Sequence, residues 1–162
     1  MRFGKVYIMV RVSCMLFLLF SVYMNAQTGE EVVVKRTIDT FFDGFHKGDT
    51  SIVASVMYKK AVLQTIVKTK EGQTLLRDEG LNGLLDAIAN RPEDQKWDER
   101  LLDYDIKIDG LMANAWTPYE FWFNDAFSHC GVNSFQLMKS ETGWKIIYLI
   151  DTRRKTGCSA AE

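Results

Sequence analysis

Proline, histidine and cysteine are all scarce in this sequence, and each scarcity removes a class of protein. Only two prolines stand among 162 residues, and 47% of the residues are hydrophobic, so a disordered chain is excluded. Two histidines and three cysteines form no metal-binding pattern. The motifs GxSxG, HExxH and CxxC and the phosphate-binding P-loop are missing. We therefore expect no metal and no cofactor.

A hydrophobic run long enough to span a membrane is also missing. The first eleven residues carry three basic residues and no acid, and the apolar stretch VSCMLFLLFSVY follows, whereas a spanning helix needs about 20 apolar residues. This pattern predicts a signal peptide over residues 1–26, cleaved after Ala26, and hence export to the periplasm or the medium without a stable membrane anchor. An uncleaved anchor is the alternative. Lipidation at Cys14 is rejected because Arg-Val-Ser precedes it and the apolar stretch lies after it.

Positive charge is in short supply once the signal peptide is removed. Cleavage takes away three of the twenty basic residues and none of the twenty-one acidic ones, which leaves a net charge of about −4. Nucleic acids and anionic membranes both bind clustered positive charge, so neither is expected as a partner. Residues 27–162 have the length of one domain and contain no repeat or linker.

Helical patterns open this domain. Thr28 and Glu31 form a capping box, and apolar residues follow at helical spacing until Gly48, where a left-handed residue would end the helix. Asp49 or Thr50 then caps a second, short helix. Two helices are therefore predicted before the first strand.

Strands and a third helix complete the pattern. Residues 61–69 are rich in β-branched side chains, and the KEGQ turn leads into a short return strand. A helical pattern follows, with Asp78 as its candidate cap and Pro92 just beyond its end. From Lys96 onward four long strands are separated by turn signals, which predicts three successive hairpins.

This order of elements and two local phrases resemble a known superfamily. FFDGFHKGD followed by DTS resembles the end of the first helix of nuclear transport factor 2-like proteins, and GWKIIYLID resembles their closing strand. The resemblance covers about residues 28–152 and is closest to the exported, lumazine-binding-like branch. It implies an α+β fold in which a cone-shaped, curved antiparallel sheet is covered on one face by about three helices. Because the superfamily includes isomerases, dehydratases, cyclases and transport adaptors, the fold alone does not define a function.

Hairpin register predicts which side chains point into the cone. If Asp109-Gly110 is a two-residue turn, Tyr104 lies opposite Ala115. Carried through the later turns, this register predicts six polar ligand-binding residues under the helices: Tyr104, Thr117, Tyr119, Ser134, Gln136 and Tyr148. They would give an apolar pocket a few polar groups for a small molecule. The alternative is that they satisfy one another in a closed core. A different final loop would replace Tyr148 with Ile147 and Leu149.

No catalytic residue is predicted. The isomerase relatives place a carboxylate base on the strand that matches AVLQTIV, which offers only Gln64, and an amide cannot accept the proton. His46 is expected at a solvated helix end and His129 on the outer sheet face. The predicted function is therefore small-molecule binding. An isomerase- or dehydratase-like enzyme in the same pocket, or a non-catalytic dimeric interaction module, are the alternatives.

The remaining cysteines and the outer sheet face give two further predictions. Cys130 and Cys158 are predicted to pair in an exported protein, because the last strand should end beside Cys130. The same register places six large apolar residues on the outer sheet face: Trp116, Trp122, Phe135, Leu137, Ile147 and Leu149. So large an apolar face predicts a two-fold homodimer joined sheet to sheet.

Overall fold

The computed structural model describes residues 29–159, which form three helices and one seven-stranded mixed sheet. The helices are α1 (residues 29–47), α2 (Thr50–Val56) and α3 (Leu81–Ala89). The strands are β1 (Met57–Lys68), β2 (Thr74–Asp78), β3 (Trp97–Leu101), β4 (Asp105–Asp109), β5 (Met112–Phe123), β6 (Ala126–Ser140) and β7 (Gly143–Arg154). The predicted signal peptide and the predicted cap at Thr28 lie outside the described residues. Within them, no helix combines the length and apolarity needed to cross a membrane.

The sheet has the order β2-β1-β7-β6-β5-β3, and β4 pairs with the other half of β5. Strands β1 and β7 run parallel, whereas the other pairs are antiparallel. The predicted α+β class and the hairpins β4-β5, β5-β6 and β6-β7 are confirmed. The segment predicted as one strand before β5 is two strands. Leu101 of β3 and Ile106 of β4 both pack against the core. They are an odd number of residues apart, and side chains alternate between the two faces of a strand, so one continuous strand could not place both on the same face.

The core lies between the helices and the inner face of the sheet. Helix α1 contributes the fully buried Val34 and Ile38 one turn apart, with Phe41 and Phe42 a turn further on. The sheet contributes buried side chains from β5, β6 and β7, listed as Ala113, Ala115, Phe135, Leu137, Trp144 and Ile146. The predicted apolar stripe of α1 is therefore the surface that packs on the sheet.

Local capping agrees with the sequence at α2 and disagrees at α3. Gly48 adopts a φ of 74° after α1, and the Asp49 carboxylate accepts hydrogen bonds from two amides of α2. The predicted cap at Asp78 is wrong. Asp78 belongs to β2, where its Oδ1 accepts a hydrogen bond from Gln64 Nε2 at 2.6 Å, and Gly80 occupies the N-cap of α3 without a side-chain hydrogen bond.

The β4-β5 turn is displaced from its predicted position. Asp109 pairs with Met112, so Gly110 and Leu111 form the loop, and Ile106 pairs with Ala115 in place of Tyr104. The shift from the predicted register is two residues. Because side chains alternate with a period of two, the predicted faces of β4 and β5 are retained.

The predicted register of β6 is wrong by one residue, and this exchanges its faces. Phe121 pairs with His129 but Trp122 pairs with Phe127, so an extra residue bulges from β6. The bulge turns Phe135 and Leu137, predicted on the outer face, into the fully buried core. The residues predicted to point inward from this strand, Ser134 and Gln136, pair with the outward-facing Trp116 and Asn114.

A second bulge changes the predicted face of Tyr148. Leu137 pairs with Ile146 and Gln136 with Tyr148, which leaves Ile147 as the extra residue of β7. Tyr148 therefore lies on the outer face, where its hydroxyl donates to Gln64 Oε1 at 2.5 Å. Leu149, predicted outside, packs against the core.

The predicted disulfide is present. Cys130 at the start of β6 is bonded to Cys158 beyond the end of β7, with a Cα separation of 5.8 Å. Both cysteines are buried. The bond fixes the segment that follows β7 against the neighbouring strand.

Candidate functional site

A cavity of about 430 Å³ lies between α1, α3 and the inner face of the sheet. Seven aromatic residues line it, namely Phe41, Phe42, Phe45, Trp97, Tyr119, Phe121 and Phe123. Gly83, Leu84 and Ala87 of α3 form another part of the wall, and Leu63 and Leu149 close it from β1 and β7. Most of this wall is apolar, as in small-molecule pockets generally.

The aromatic residues contact one another and hold the wall in shape. Phe45 stacks at a tilt on Trp97 with ring centroids 5.6 Å apart, and it meets the Phe121 ring at 6.5 Å. Phe41 and Phe42 make an edge contact at 5.1 Å. These are favourable separations for aromatic pairs. The wall is therefore preformed by packing between α1, β3 and β5.

A polar row crosses the apolar inner face beside the cavity. It consists of Thr65, Asp151, Asn133 and Thr117, which are successive cross-strand partners on β1, β7, β6 and β5. Asp151 and Asn133 line the cavity. The hydroxyls of Thr65 and Thr117 are buried and have no hydrogen-bond partner among the described residues. Polar groups without partners are rare in protein interiors, so this row marks a specialised part of the sheet.

Tyr119 and Arg153 converge on Asp151 at one end of the cavity. The Tyr119 hydroxyl lies 3.0 Å from Asp151 Oδ2, to which it donates, and Arg153 Nε donates to the same oxygen at 2.8 Å. The Arg153 guanidinium also lies 3.9 Å from Glu79 Oε1. Burial, with the charges of Glu99 and Asp151, raises the pKa of Tyr119 above its usual range. Tyr119 is therefore a neutral hydrogen-bond donor.

Glu99 of β3 is a carboxylic acid of the cavity wall whose acidity is strongly altered. Asn133 Nδ2 donates to Glu99 Oε1 at 2.7 Å. Burial raises the pKa of Glu99 from 4.5 to about 7, and the negative charge of Asp151 adds to this effect while the Asn133 hydrogen bond opposes it. Near neutral pH, Glu99 can therefore either hold or release a proton.

The two histidines lie closer to the site than the sequence predicted. The backbone amide of Glu99 donates to His46 Nε2 at 2.9 Å, so His46 is part of the fold and not a solvated helix end. His129 lines the cavity, tilted against the Phe121 ring at 5.0 Å, because the β6 bulge turns it inward. Burial lowers the pKa of both histidines, which favours the neutral imidazoles.

The predicted site residues divide into three groups. Tyr119 lines the cavity, and Thr117 lies in the polar row beside it. Tyr104 faces α1 outside the cavity and donates to Asp39 Oδ1. The other three, Ser134, Gln136 and Tyr148, lie on the outer face for the register reasons given above.

Glu99, Asn133, Asp151 and Arg153 were missed. In β3, Trp97 and Leu101 pack against the core, and Glu99 stands between them in the same alternation. This pattern would have placed Glu99 on the inner face if the reversal of the inward-facing positions between β3 and β4 had been recognised. The adjacent leucines at 101 and 102 are the signal of that change. Asn133, Asp151 and Arg153 were hidden by the two bulges, for which the sequence carries no comparable mark.

Together, the helices packed on one face of the sheet and the cavity between them define a protein of the nuclear transport factor 2-like class. Residues 29–148 match the family described as Putative lumazine-binding, and the chain belongs to this family. No curated protein matches the sequence.

Solved structures agree on the fold. An NTF2-like protein with a cystatin-like fold from Novosphingobium aromaticivorans is 10% identical, with a TM-score of 0.65 over 86% of this chain and 91% of that one. A putative dehydratase of the NTF2-like family from Streptomyces avermitilis is 13% identical, with a TM-score of 0.61 over 80% and 98%. An NTF2-like protein of unknown function from Shewanella baltica is 18% identical, with a TM-score of 0.58 over 80% and 97%. At these identities the likeness concerns the fold alone.

Proposed function

We propose that this chain is an exported small-molecule-binding protein whose ligand occupies the cavity between α1, α3 and the sheet. The observation that carries this proposal is the cavity itself, about 430 Å³ in volume, with an aromatic wall and a few converging polar groups. Binding sites for small molecules have this composition and size. The family description, which concerns a small heteroaromatic ligand, supports the same reading.

The ligand has an apolar body and a polar end. The body contacts the aromatic wall formed by Phe45, Trp97 and Phe121, and its burial supplies most of the binding free energy. The polar end meets Glu99 and Asp151. A wholly apolar ligand would desolvate both carboxyl groups and offer no hydrogen-bond donor to the oxygens that the protein leaves unpaired, which costs free energy.

Native mass spectrometry tests this proposal when it is combined with a variant that narrows the cavity. Gly83 lines the cavity from within α3, and a Cβ at this position meets no atom within 4 Å. Gly83→Leu should therefore place a leucine side chain in the cavity and narrow it, while favouring the helix. Ala89→Leu adds the same side chain on the same helix outside the cavity and serves as the control.

We expect a co-purified small molecule on the wild type and on Ala89→Leu, and its loss from Gly83→Leu. The proposal fails if the wild type carries no such molecule and gains none from a metabolite extract. It also fails if Gly83→Leu retains the bound mass unchanged.

Glu99 favours an enzyme as the second candidate function. A cavity carboxyl whose pKa lies at about 7 is suited to general acid–base chemistry of the isomerase or dehydratase kind. Glu99→Gln preserves shape and hydrogen bonding but cannot transfer a proton. If the protein is an enzyme, Glu99→Gln should co-purify with unreacted substrate, which the wild type should then convert and the variant should not. Equal conversion by both proteins would exclude this role.

A homodimer remains part of the proposal, with a corrected surface. The outer face of the sheet presents Val62 and Trp116, which are 45% and 51% exposed, together with the partly buried Tyr148 and Ile150. Apolar patches of this kind mark interaction sites, and a two-fold axis would let each subunit cover the other. In sedimentation velocity at micromolar concentration the wild type should be a dimer and Trp116→Glu a monomer. A monomeric wild type excludes this interface.

A further inference from the structure

Two carboxylates of the cavity wall each keep one oxygen free. Glu99 accepts from Asn133 through Oε1, and Asp151 accepts from Tyr119 and Arg153 through Oδ2. Glu99 Oε2 and Asp151 Oδ1 receive no hydrogen bond from any residue between 29 and 159. Both residues line the same cavity. A ligand group that donates hydrogen bonds would satisfy both oxygens.

The charges around the cavity favour a cation over an anion. Three acidic residues line it, Glu79, Glu99 and Asp151, against the single cation Arg153. The Arg153 guanidinium is already engaged by Asp151 and Glu79. The histidines add little positive charge because burial lowers the pKa of both. An anionic ligand would therefore be repelled, whereas a cation would be attracted.

The aromatic wall suits the same kind of ligand. The rings of Phe45, Trp97 and Phe121, on α1, β3 and β5, line the same cavity as Glu99, and Phe121 is the cross-strand partner of Glu99. Aromatic faces attract cations as well as apolar groups. Carboxylates and aromatic rings around one cavity would thus recognise the two ends of a single molecule.

We propose that the ligand of this cavity carries a protonated amine on a flat, apolar body, and that the ammonium group binds between Glu99 and Asp151. This inference rests on the proposed function, since it names the chemical class of the molecule in the same cavity. The ammonium donates to Glu99 Oε2 and Asp151 Oδ1, and the body lies against the aromatic wall. The competing ligand is a neutral molecule whose carbonyl oxygen accepts a hydrogen bond from protonated Glu99.

Three indoles with the same ring and different charge separate these ligands. Tryptamine is a cation at pH 7, tryptophol is its neutral alcohol counterpart, and indole-3-acetate is an anion. Isothermal titration calorimetry with the purified full chain should show tryptamine binding at least roughly tenfold more tightly than tryptophol, and indole-3-acetate most weakly. Glu99→Gln should abolish the preference for tryptamine. Asp98→Asn, the neighbour whose carboxylate pairs with Arg100, should keep it.

Proton release gives a second readout of the same contact. An ammonium beside Glu99 favours the carboxylate, and the other charged or titratable groups around Glu99 are Asp151, Arg153, His46 and Tyr119. Tryptamine binding near pH 7 should therefore release a proton from the wild type and none from Glu99→Gln. Titrations in two buffers of different ionisation enthalpy measure this release.

Each result decides a different question. Tryptophol or indole-3-acetate binding as tightly as tryptamine overturns the amine inference and leaves the cavity as a ligand site. The amine inference is also overturned if the co-purified molecule has no basic nitrogen, or if none of the three indoles binds. The proposed function fails separately, when the wild type carries no ligand and gains none from a metabolite extract, or when Gly83→Leu carries as much as the wild type.

Discussion

The ring of Tyr119 lies directly across the sheet from Gly131, and this pairing lets the phenol reach Asp151. A Cβ at Gly131 would lie 1.8 Å from the Thr152 carbonyl oxygen and 2.8 Å from the Tyr119 ring and hydroxyl. The hydroxyl of Tyr119 is 3.0 Å from Asp151 Oδ2. The polar end of the cavity is therefore shaped by a residue that has no side chain.

Gly131→Ala should consequently destabilise the protein. The added methyl group overlaps a backbone oxygen that cannot rotate away, so β6 and β7 must separate locally. We expect a loss of at least about 1–3 kcal/mol in the free energy of unfolding. Urea denaturation measures it, and unchanged stability would show that the Thr152 carbonyl oxygen does not approach Gly131 this closely.

Gly83→Ala should stabilise the protein, in contrast to Gly131→Ala. Gly83 lies inside α3, and the added Cβ meets no atom within 4 Å. Glycine costs about 0.5–1 kcal/mol relative to alanine in a helix interior, so the variant should gain this amount. The same urea titration provides the check, and a loss of stability would contradict the position of Gly83 in the helix.

Stability should fall with rising pH because of Glu99. Its pKa is about 7 in the folded protein against an ordinary value of 4.5, so the folded state binds the additional proton between these values. The contribution of Glu99 to the free energy of unfolding is fully present below about pH 4.5 and is lost as the pH rises through about 7.

The Glu99→Gln variant isolates this effect. The lowered pKa values of His46 and His129 make stability rise with pH, but they do so in both proteins and therefore cancel in the comparison. At pH 5 the variant and the wild type should be similarly stable. At pH 8 the variant should be more stable by on the order of 1–3 kcal/mol. Equal stability at both pH values would mean that Glu99 is not buried.

Removal of the disulfide should weaken the fold. The bond joins residues 28 positions apart, and a closed loop of this length is worth about 3–4 kcal/mol through the entropy of the unfolded chain. The double variant Cys130→Ala with Cys158→Ala should lose most of this amount in urea denaturation without reductant. A loss below about 1 kcal/mol would mean that the C-terminal segment contributes little to stability.

The elements with strong local signals were predictable from the sequence. The spacing of Val34, Ile38 and Phe41 identifies the buried face of α1, and Gly48 and Asp49 mark the boundary between two helices. Alternation along β5 correctly places Thr117 and Tyr119 on the inner face. Each of these features depends on residues close together in the chain.

Most of the polar end of the cavity could not be predicted, because it depends on register between strands. Because one residue bulges from β6, Asn133 lies on the inner face where Ser134 was predicted. Because another bulges from β7, Leu149 lies there in place of Tyr148. A single extra residue reverses every side chain beyond it. Glu99 was missed for a related reason, since β3 and β4 have opposite phase.

A crystal structure of the wild-type protein, purified without stripping bound compounds, tests the central claim most directly. We predict electron density for one small molecule in the cavity, with its apolar body against Phe45 and Trp97 and its polar end within hydrogen-bonding distance of Glu99 or Asp151. A cavity closed by the protein's own side chains, or one that holds only water after incubation with a metabolite extract, would contradict the claim that this protein binds a small molecule there.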